Sequence, residues 1–209
     1  MDSKKRLQLR TPLGDGMILQ RDADIPICGW AGPGEKVTVR FLGATHKTTA
    51  GPDGAWSVVL EKHGAGGPYE MEITGGEKIV LRDVWFGDVW ILSGQSNMQL
   101  PMERVKDEYP ETMASTENRY IRQFTVPEHY DFNAPCDNIQ GGKWESAGHD
   151  TLPRFSAAGF FFAKQLYETY SVPIGLIQTA IGGAGVEAWV NRESLNGYPD
   201  ELALVDKFN

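Results

Sequence analysis

The hydrophobic rhythm of this chain changes once, near Asp83, and that change limits what it can fold into. Before it, short apolar runs alternate with turn signals: Met17–Gln20, Ile25–Trp30, Lys36–Phe41, Trp56–Leu60, Tyr69–Ile73 and Lys78–Leu81. Val37, Val39 and Phe41 alternate with Thr38 and Arg40, and Met71 and Ile73 with Glu70 and Glu72, the period of half-buried strands. The connectors Gly32–Gly34, Gly51–Gly54, Gly64–Pro68 and Gly75-Gly76 carry turn chemistry. Regular short strands with such turns predict an antiparallel β-sandwich over residues 1–83. Trp30 and Trp56 are read as packing residues rather than ligand platforms, and the region as a structural accessory module.

After Asp83 the run Val84–Leu92 leads straight into Ser93-Gly-Gln-Ser-Asn97. Tyr120–Val126 reads as a strand and Pro127–Gly142 as a long loop. Phe155, Gly159, Phe162, Leu166 and Tyr170 form a stripe of helical period, predicting a helix over 154–170 that ends before Pro173. Ile174–Ala180 reads as a strand, Gly182–Gly185 as a turn, and Val186–Val190 as a helix start. Strand, helix, strand, glycine turn and helix is the rhythm of a doubly wound α/β sheet, so residues 84–209 form a second unit. Such sheets gather ligands at the carboxyl ends of their strands, where both Ser96 and Gly182-Gly183 fall.

Composition narrows the partners. The 209 residues are 41% hydrophobic and carry a net charge of -8, a balance that argues against nucleic acid, whose phosphates would be repelled. No apolar run approaches the ~20 residues that span a bilayer. Met1–Arg6 shows charges with no apolar stretch behind them, so no signal peptide is visible. Cys28 and Cys136 are expected to be unlinked thiols. His46, His63, His129 and His149 are isolated, so no metal site is expected. The glycine turn lacks the Lys-Ser/Thr of a phosphate loop, and no cofactor is expected.

Ser96 is the candidate nucleophile. An apolar strand that ends abruptly in Gly94-Gln-Ser-Asn97 delivers a serine to the top of a sheet, and glycine permits the sharp turn. A serine hydroxyl attacks only when a base takes its proton, and ester hydrolysis also needs donors for the oxyanion. The backbone N–H of Ser96 is one; Gly182 or Gly183 offers another. On spacing alone Ser96 is equally open to being a helix N-cap. The element Gly94-x-Ser96-x-Met98 does not match the α/β-hydrolase elbow.

Gly94-Gln-Ser-Asn-Met98 resembles the nucleophile block of the sialate O-acetylesterase-like carbohydrate esterases of the SGNH hydrolase superfamily. Asp15–Arg21, Pro26–Trp30, Pro33–Val37, Gly87–Trp90, Phe155–Phe162, Val172–Ile177 and Gly182–Trp189 resemble further family elements in the same order. Each piece is weak; their collinearity is specific. The resemblance implies an α/β protein, with the N-terminal antiparallel β-sandwich followed by the first part of an SGNH-type (flavodoxin-like) α/β/α domain with a parallel sheet. It implies hydrolysis of acetyl esters on a sugar or glycan, with Ser96 attacking and the N–H groups of Ser96 and Gly182 or Gly183 binding the oxyanion. Gln95 and Asn97 would border substrate while chiefly holding the turn; Glu187 and Trp189 would begin the next helix.

Two departures shape the expectation. Ala184 stands where the family often has Thr or Ser. The family's Gln-Gly-Glu and Asp-x-x-His elements do not appear before Asn209, so at most three parallel strands and an open sheet edge are expected. The remainder of the enzyme, in the same or a separate chain, would then supply His and Asp. His129 and His149 are not expected to replace them. A secreted or periplasmic location is expected, with a cytoplasmic one also open. Two other readings stand beside hydrolysis: a non-catalytic carbohydrate-binding or scaffold module, and acyl transfer to an acceptor other than water.

Overall fold

In the computed structural model, which describes residues 6–129 and 136–207, the alternating runs of the first half become strands. They are β1 (Gln8–Leu9), β2 (Ile18–Gln20), β3 (Ile25–Trp30), β4 (Lys36–Phe41), β5 (Ala44–Thr49), β6 (Ala55–Leu60), β7 (Gly66–Thr74) and β8 (Lys78–Leu92). Sequence reasoning passed over β5, whose Ala-Thr-His-Lys-Thr-Thr lacks apolar alternation. It is an edge strand that follows β4 in register from Phe41↔Ala44 to Lys36↔Thr49. The turn between them, Leu42-Gly43, has positive φ at both residues (50° and 81°), the hairpin geometry that matches strand twist.

What reads in sequence as two runs, Lys78–Leu81 and Val84–Leu92, is one strand of fifteen residues. It passes through Asp83 at φ 58° without stopping. Its first part pairs antiparallel with β7, residues 85–87 pair in parallel with β2, and residues 88–92 pair in parallel with a later strand. The parallel β2–β8 pair corrects the expectation of a wholly antiparallel first half: Gly16 and Met17 bond back to Arg82 and Trp85, which lays β2 alongside β8 in the same direction. A sheet of order β1-β3-β6 faces part of a larger one, and Ile27, Trp56 and Val58 pack with Val37, Val39, Met71, Ile73 and Phe86 between them. Trp56 is therefore core, as expected, while Trp30 is half-buried beneath the Arg10 guanidinium.

The second half supplies α1 (Ser96–Gln99), α2 (Pro110–Ser115), β9 (Asn118–Thr125), β10 (Trp144–Ala147), α3 (Ala157–Tyr170), β11 (Ile174–Gln178), α4 (Arg192–Leu195) and α5 (Pro199–Asp206). The larger sheet runs β10-β9-β11-β8-β7-β4-β5. Strands β9, β11 and β8 are mutually parallel, and the short β10 adds antiparallel to β9. Among the described residues, the ladder of residues 88–92 of β8 is with β11 alone, and Ile91 is 68% exposed and Trp90 45% exposed along that stretch. The expected loop over 127–142 falls partly on residues 130–135, outside those described, as does the reading of residues 1–5. Of its described part, Asn138 and Ile139 bond Thr11 and so close the loop against the first half.

The helix predicted over 154–170 starts later, and its predicted stripe is inward in part: Phe155 and Gly159 are buried and Leu166 packs against the core. A 3-10 turn at Leu152–Arg154 precedes Ser156, which caps α3 by accepting from the Gly159 N–H. The buried face is Gly159, Phe160 and Ala163, whereas Phe162 and Tyr170 are exposed. Three consecutive phenylalanines at 160–162 fit more than one stripe, so periodicity alone cannot choose among them. Close approach decides: a Cβ on Gly159 would run into Leu92 of β8. Val186–Trp189 forms a 3-10 turn rather than an α-helix.

One buried cation joins the halves. Arg122 on β9 is enclosed, its Nη1 donating to the carbonyls of Gly16 (2.7 Å) and Asp83 (3.0 Å) and its Nε to that of Arg119 (2.8 Å). Its Nη2 lies 2.8 Å from the Asp83 carboxylate. Burial draws this guanidinium below the usual arginine pKa, and Asp83 opposes the shift. Arg122→Met strands these acceptors and is expected to lower the stability of the protein by about 2–3 kcal/mol, toward the low end for a broken buried pair because Asp83 keeps some water. The urea midpoint at unchanged m measures it.

Candidate active site

The site is assembled where two neighbouring parallel strands end. β8 stops at buried Leu92; Gly94 then takes φ +123°, a conformation that side chains rarely adopt, and α1 begins. Gln95, not Ser96, occupies the N-cap, and its side chain makes no capping bond. Ser96 is the first helical residue, exposed, with no hydrogen bond to its Oγ or its N–H among the described residues. The cap alternative is thereby removed. The turn is held by the Gln95 carbonyl, which accepts from the Met98 and Gln99 N–H groups, while the Gln95 and Asn97 side chains stay exposed.

On the adjoining strand, β11 runs on into Thr179–Ile181. The Thr179 and Ala180 N–H groups donate to the Leu92 carbonyl, and Ile181 N–H to that of Gly94 (3.0 Å). These bonds bring the glycine turn to the serine: a Cβ on Gly182 would stand 3.8 Å from the Cα and Cβ of Ser96. The turn closes with Ala184 N–H donating to Ile181 O (3.2 Å). Gly183, at φ +82°, faces open space, and its N–H makes no bond among the described residues. Gly182 N–H is engaged, donating to Gln99 Oε1 at 2.6 Å. Sequence analysis proposed both glycines and missed Gln99. The spacing marks Gln99 only as sharing a helix face with Ser96, since residues three apart are neighbours there, and not as the partner of Gly182.

A helix of four residues cannot hold itself in place. Ser156 does it: its Oγ donates to Met98 O (2.6 Å) while accepting from Gly159 N–H (3.1 Å). Its own N–H donates to Gln123 Oε1 (3.0 Å). Met102 N–H bonds Phe155 O and Ala157 N–H bonds Leu100 O on either side. The start of α3 thus clamps the helix that carries Ser96.

Ser96 opens into a cavity of about 570 Å³ whose walls include Gln99, Arg104, Thr125, Glu128 and Arg154. Arg154 is committed elsewhere, bonding Glu145 (2.9 Å) and the Asp150 carbonyl (2.9 Å). Burial works to raise the pKa of Glu145, but its hydrogen bonds from Lys143 and Arg154 outweigh burial and hold it below the usual value. Arg104 is exposed and forms no ion pair among the described residues.

No histidine lines this cavity among the described residues. His149 is exposed, with its N–H on Glu117; His63 stacks on Phe86; His46 lies on β5; His129 is exposed beyond Glu128. Glu187 is the second residue of the 3-10 turn and does not line the cavity. Cys28 and Cys136 are free thiols. No group of three metal-ligating side chains occurs among the described residues, nor any helix long and apolar enough to cross a membrane. The site therefore brings together an exposed serine, unoccupied backbone donors (Ser96 and Gly183 N–H among them) and a cavity, with no base bonded to the serine among the described residues.

The sequence model of the family described as carbohydrate esterase, sialic acid-specific acetylesterase, matches residues 86–207. The sialate O-acetylesterase of Mus musculus is 32% identical over 198 residues, covering 86% of this chain and 36% of that protein. The sialate O-acetylesterase of Homo sapiens is 34% identical over 212 residues, covering 92% of this chain and 40% of that protein. The chain thus spans well under half the length of these curated relatives. A carbohydrate acetylesterase from Xanthomonas citri superposes with a TM-score of 0.87 at 36% identity, over 94% of this chain and 45% of that one.

Removing the clamp tests its role. Ser156→Ala loses a helix cap and the donor to Met98 O, and is expected to cost about 1–2 kcal/mol. Amide hydrogen exchange should accelerate at Met98–Leu100 more than in β9.

Proposed function

The chain belongs to the sialic acid-specific acetylesterase family of carbohydrate esterases, and from that membership we propose that it carries the nucleophile of a carbohydrate O-acetylesterase. Ser96 Oγ attacks the acetyl carbonyl, and a base takes its proton. The tetrahedral oxyanion is met by the Ser96 N–H and by the glycine turn, each such donor contributing about 3 kcal/mol in comparable sites. Collapse breaks the bond to the sugar oxygen, which leaves as a hydroxyl after receiving a proton. Water then attacks the acetyl-serine, releasing acetate and restoring Ser96. No cofactor enters this scheme. The observation that carries it is the juxtaposition across two strand ends of Gly182 with Ser96, whose Oγ and N–H have no partner among the described residues.

The missing base is part of the proposal. We read residues 1–83 as a β-sandwich accessory unit and 84–209 as the first part of an SGNH-type, flavodoxin-like α/β/α domain. On this reading the one-sided stretch of β8 receives a further parallel strand, and His and Asp come from polypeptide outside residues 1–209. The partial coverage of the relatives supports it. The cavity also points to the favoured sugar: the Arg104 guanidinium, in no ion pair among the described residues, suits a sugar carboxylate, as in a sialic acid, through a charge-assisted bond.

A fluorophosphonate is expected to label Ser96 in the full-length enzyme, and Ser96→Ala to abolish both labelling and acetate release. An unlabelled Ser96 alongside retained sugar binding would instead favour a non-catalytic carbohydrate-binding module. Arg104→Ala is expected to raise KM for an O-acetylated sialic acid roughly threefold to tenfold, in line with about 1 kcal/mol for a solvent-facing ion pair, while leaving KM for an acetylated neutral sugar unchanged.

A further inference from the structure

Gln99 occupies a position that the esterase scheme does not use. It lies one turn beyond Ser96 on α1, and both ends of its amide are engaged. Oε1 accepts from Gly182 N–H at 2.6 Å and Nε2 donates to Glu128 Oε1 at 2.9 Å. A backbone N–H only donates and an ionised carboxylate only accepts, so the two neighbours fix which way the amide points. An amide satisfies both at once without taking up a proton, which a carboxyl group of the same length cannot do.

Resting on the acetylesterase reading, we propose that Gln99 is a positioning residue for the acyl-transfer step: it ties the Gly182 N–H to the helix bearing Ser96. Gly182 is then the tether of the glycine turn rather than a donor to substrate. The oxyanion is met by Ser96 N–H and Gly183 N–H, two backbone donors on the facing strand ends that are unoccupied among the described residues. The tether matters because the rest of the turn is weakly held: Gly182 and Gly183 are exposed, and no neighbour lies within 4 Å of a Cβ built on Gly183. Without Gln99, the distance from Gly183 N–H to the reacting carbonyl rests on the bonds at Ile181 and Ala184 alone. Glu128, on the segment leaving β9, sets the orientation of the amide and so acts one step further out.

The opposite assignment makes a different prediction. Were Gly182 the donor to substrate, the Gln99 carbonyl would compete with the ester, and removing it would speed turnover. In the full-length enzyme assayed with 4-nitrophenyl acetate and an O-acetylated sialic acid, Gln99→Ala is expected to lower kcat roughly tenfold to a hundredfold, the scale of a misplaced reacting geometry. KM should stay within about twofold, and hydrogen exchange at the Gly182 amide should accelerate while the unfolding midpoint is retained. Gln99→Glu sets a carboxylate against Glu128, and the pair is relieved only when it shares a proton. Its kcat relative to wild type at each pH should therefore recover as pH falls. Combining Gln99→Glu with Glu128→Gln restores an acceptor for Gly182 and a donor facing it, and should return kcat to within about threefold of wild type at neutral pH. Unchanged or raised kcat in Gln99→Ala, or no rescue by the double variant, overturns the assignment while leaving the esterase reading intact. A wild-type enzyme that neither hydrolyses the acetyl esters nor takes the fluorophosphonate overturns both.

Discussion

A single strand belongs to both halves of this protein, and every other placement depends on it. Backbone N–H and C=O groups must be paired when buried, and β8 meets that demand with β7 over its first part, β2 at its middle and β11 at its end. The core between the two sheets of the first half and the pleat that presents Ser96 are therefore phases of one backbone. Rotation of one half against the other would break ladder bonds rather than bend a linker. Arg122 reinforces the joint from the far side of β11, reaching from β9 to the carbonyls of Gly16 and Asp83. Its enclosure makes that contact all or nothing, since a guanidinium withdrawn from water needs each of its acceptors.

From this frame the site follows by adjacency. Parallel strands end on the same side of a sheet, so neighbours such as β8 and β11 put their exit loops within bonding distance. Here the bonds from Thr179, Ala180 and Ile181 to the Leu92 and Gly94 carbonyls carry the pairing past the strands and into the loops. The helix that follows β8 is too short for intrinsic stability and takes its position from Ser156. Rigid elements set the site from below, and a few directional side-chain bonds set it from the side.

Much of this was legible in the residues, for reasons that also explain what was not. Alternation at Val37–Phe41 and Met71–Ile73 is a local property of chain chemistry, and those strands stand where the pattern sets them. β5 escaped because an edge strand needs only a partner's free backbone, and Lys47 and the threonines beside it announce nothing apolar. Gly159 and Leu166 were placed inward on α3 by the pattern, but the choice of Phe160 over Phe162 escaped because the three phenylalanines are chemically identical, and the approach of Leu92 to Gly159 breaks the tie. Ser96 and the glycine turn were readable as separate features of strand ends. Gln99 was not, because its role lies in a bond to Gly182 across 83 residues of chain, and no local pattern encodes such a pairing.

The pairing of β8 with β11 also sets an order in time. Thr179 and its partner carbonyl on Leu92 are 87 residues apart in the chain, and contacts of such separation form late because a long loop must close first. During synthesis Ser96 leaves the ribosome well before the glycine turn that faces it. Until β11 docks, the serine is an ordinary hydroxyl on an unpaired strand end, with no second backbone donor beside it. The apposition of Ser96 and the glycine turn is thus among the last contacts this chain acquires.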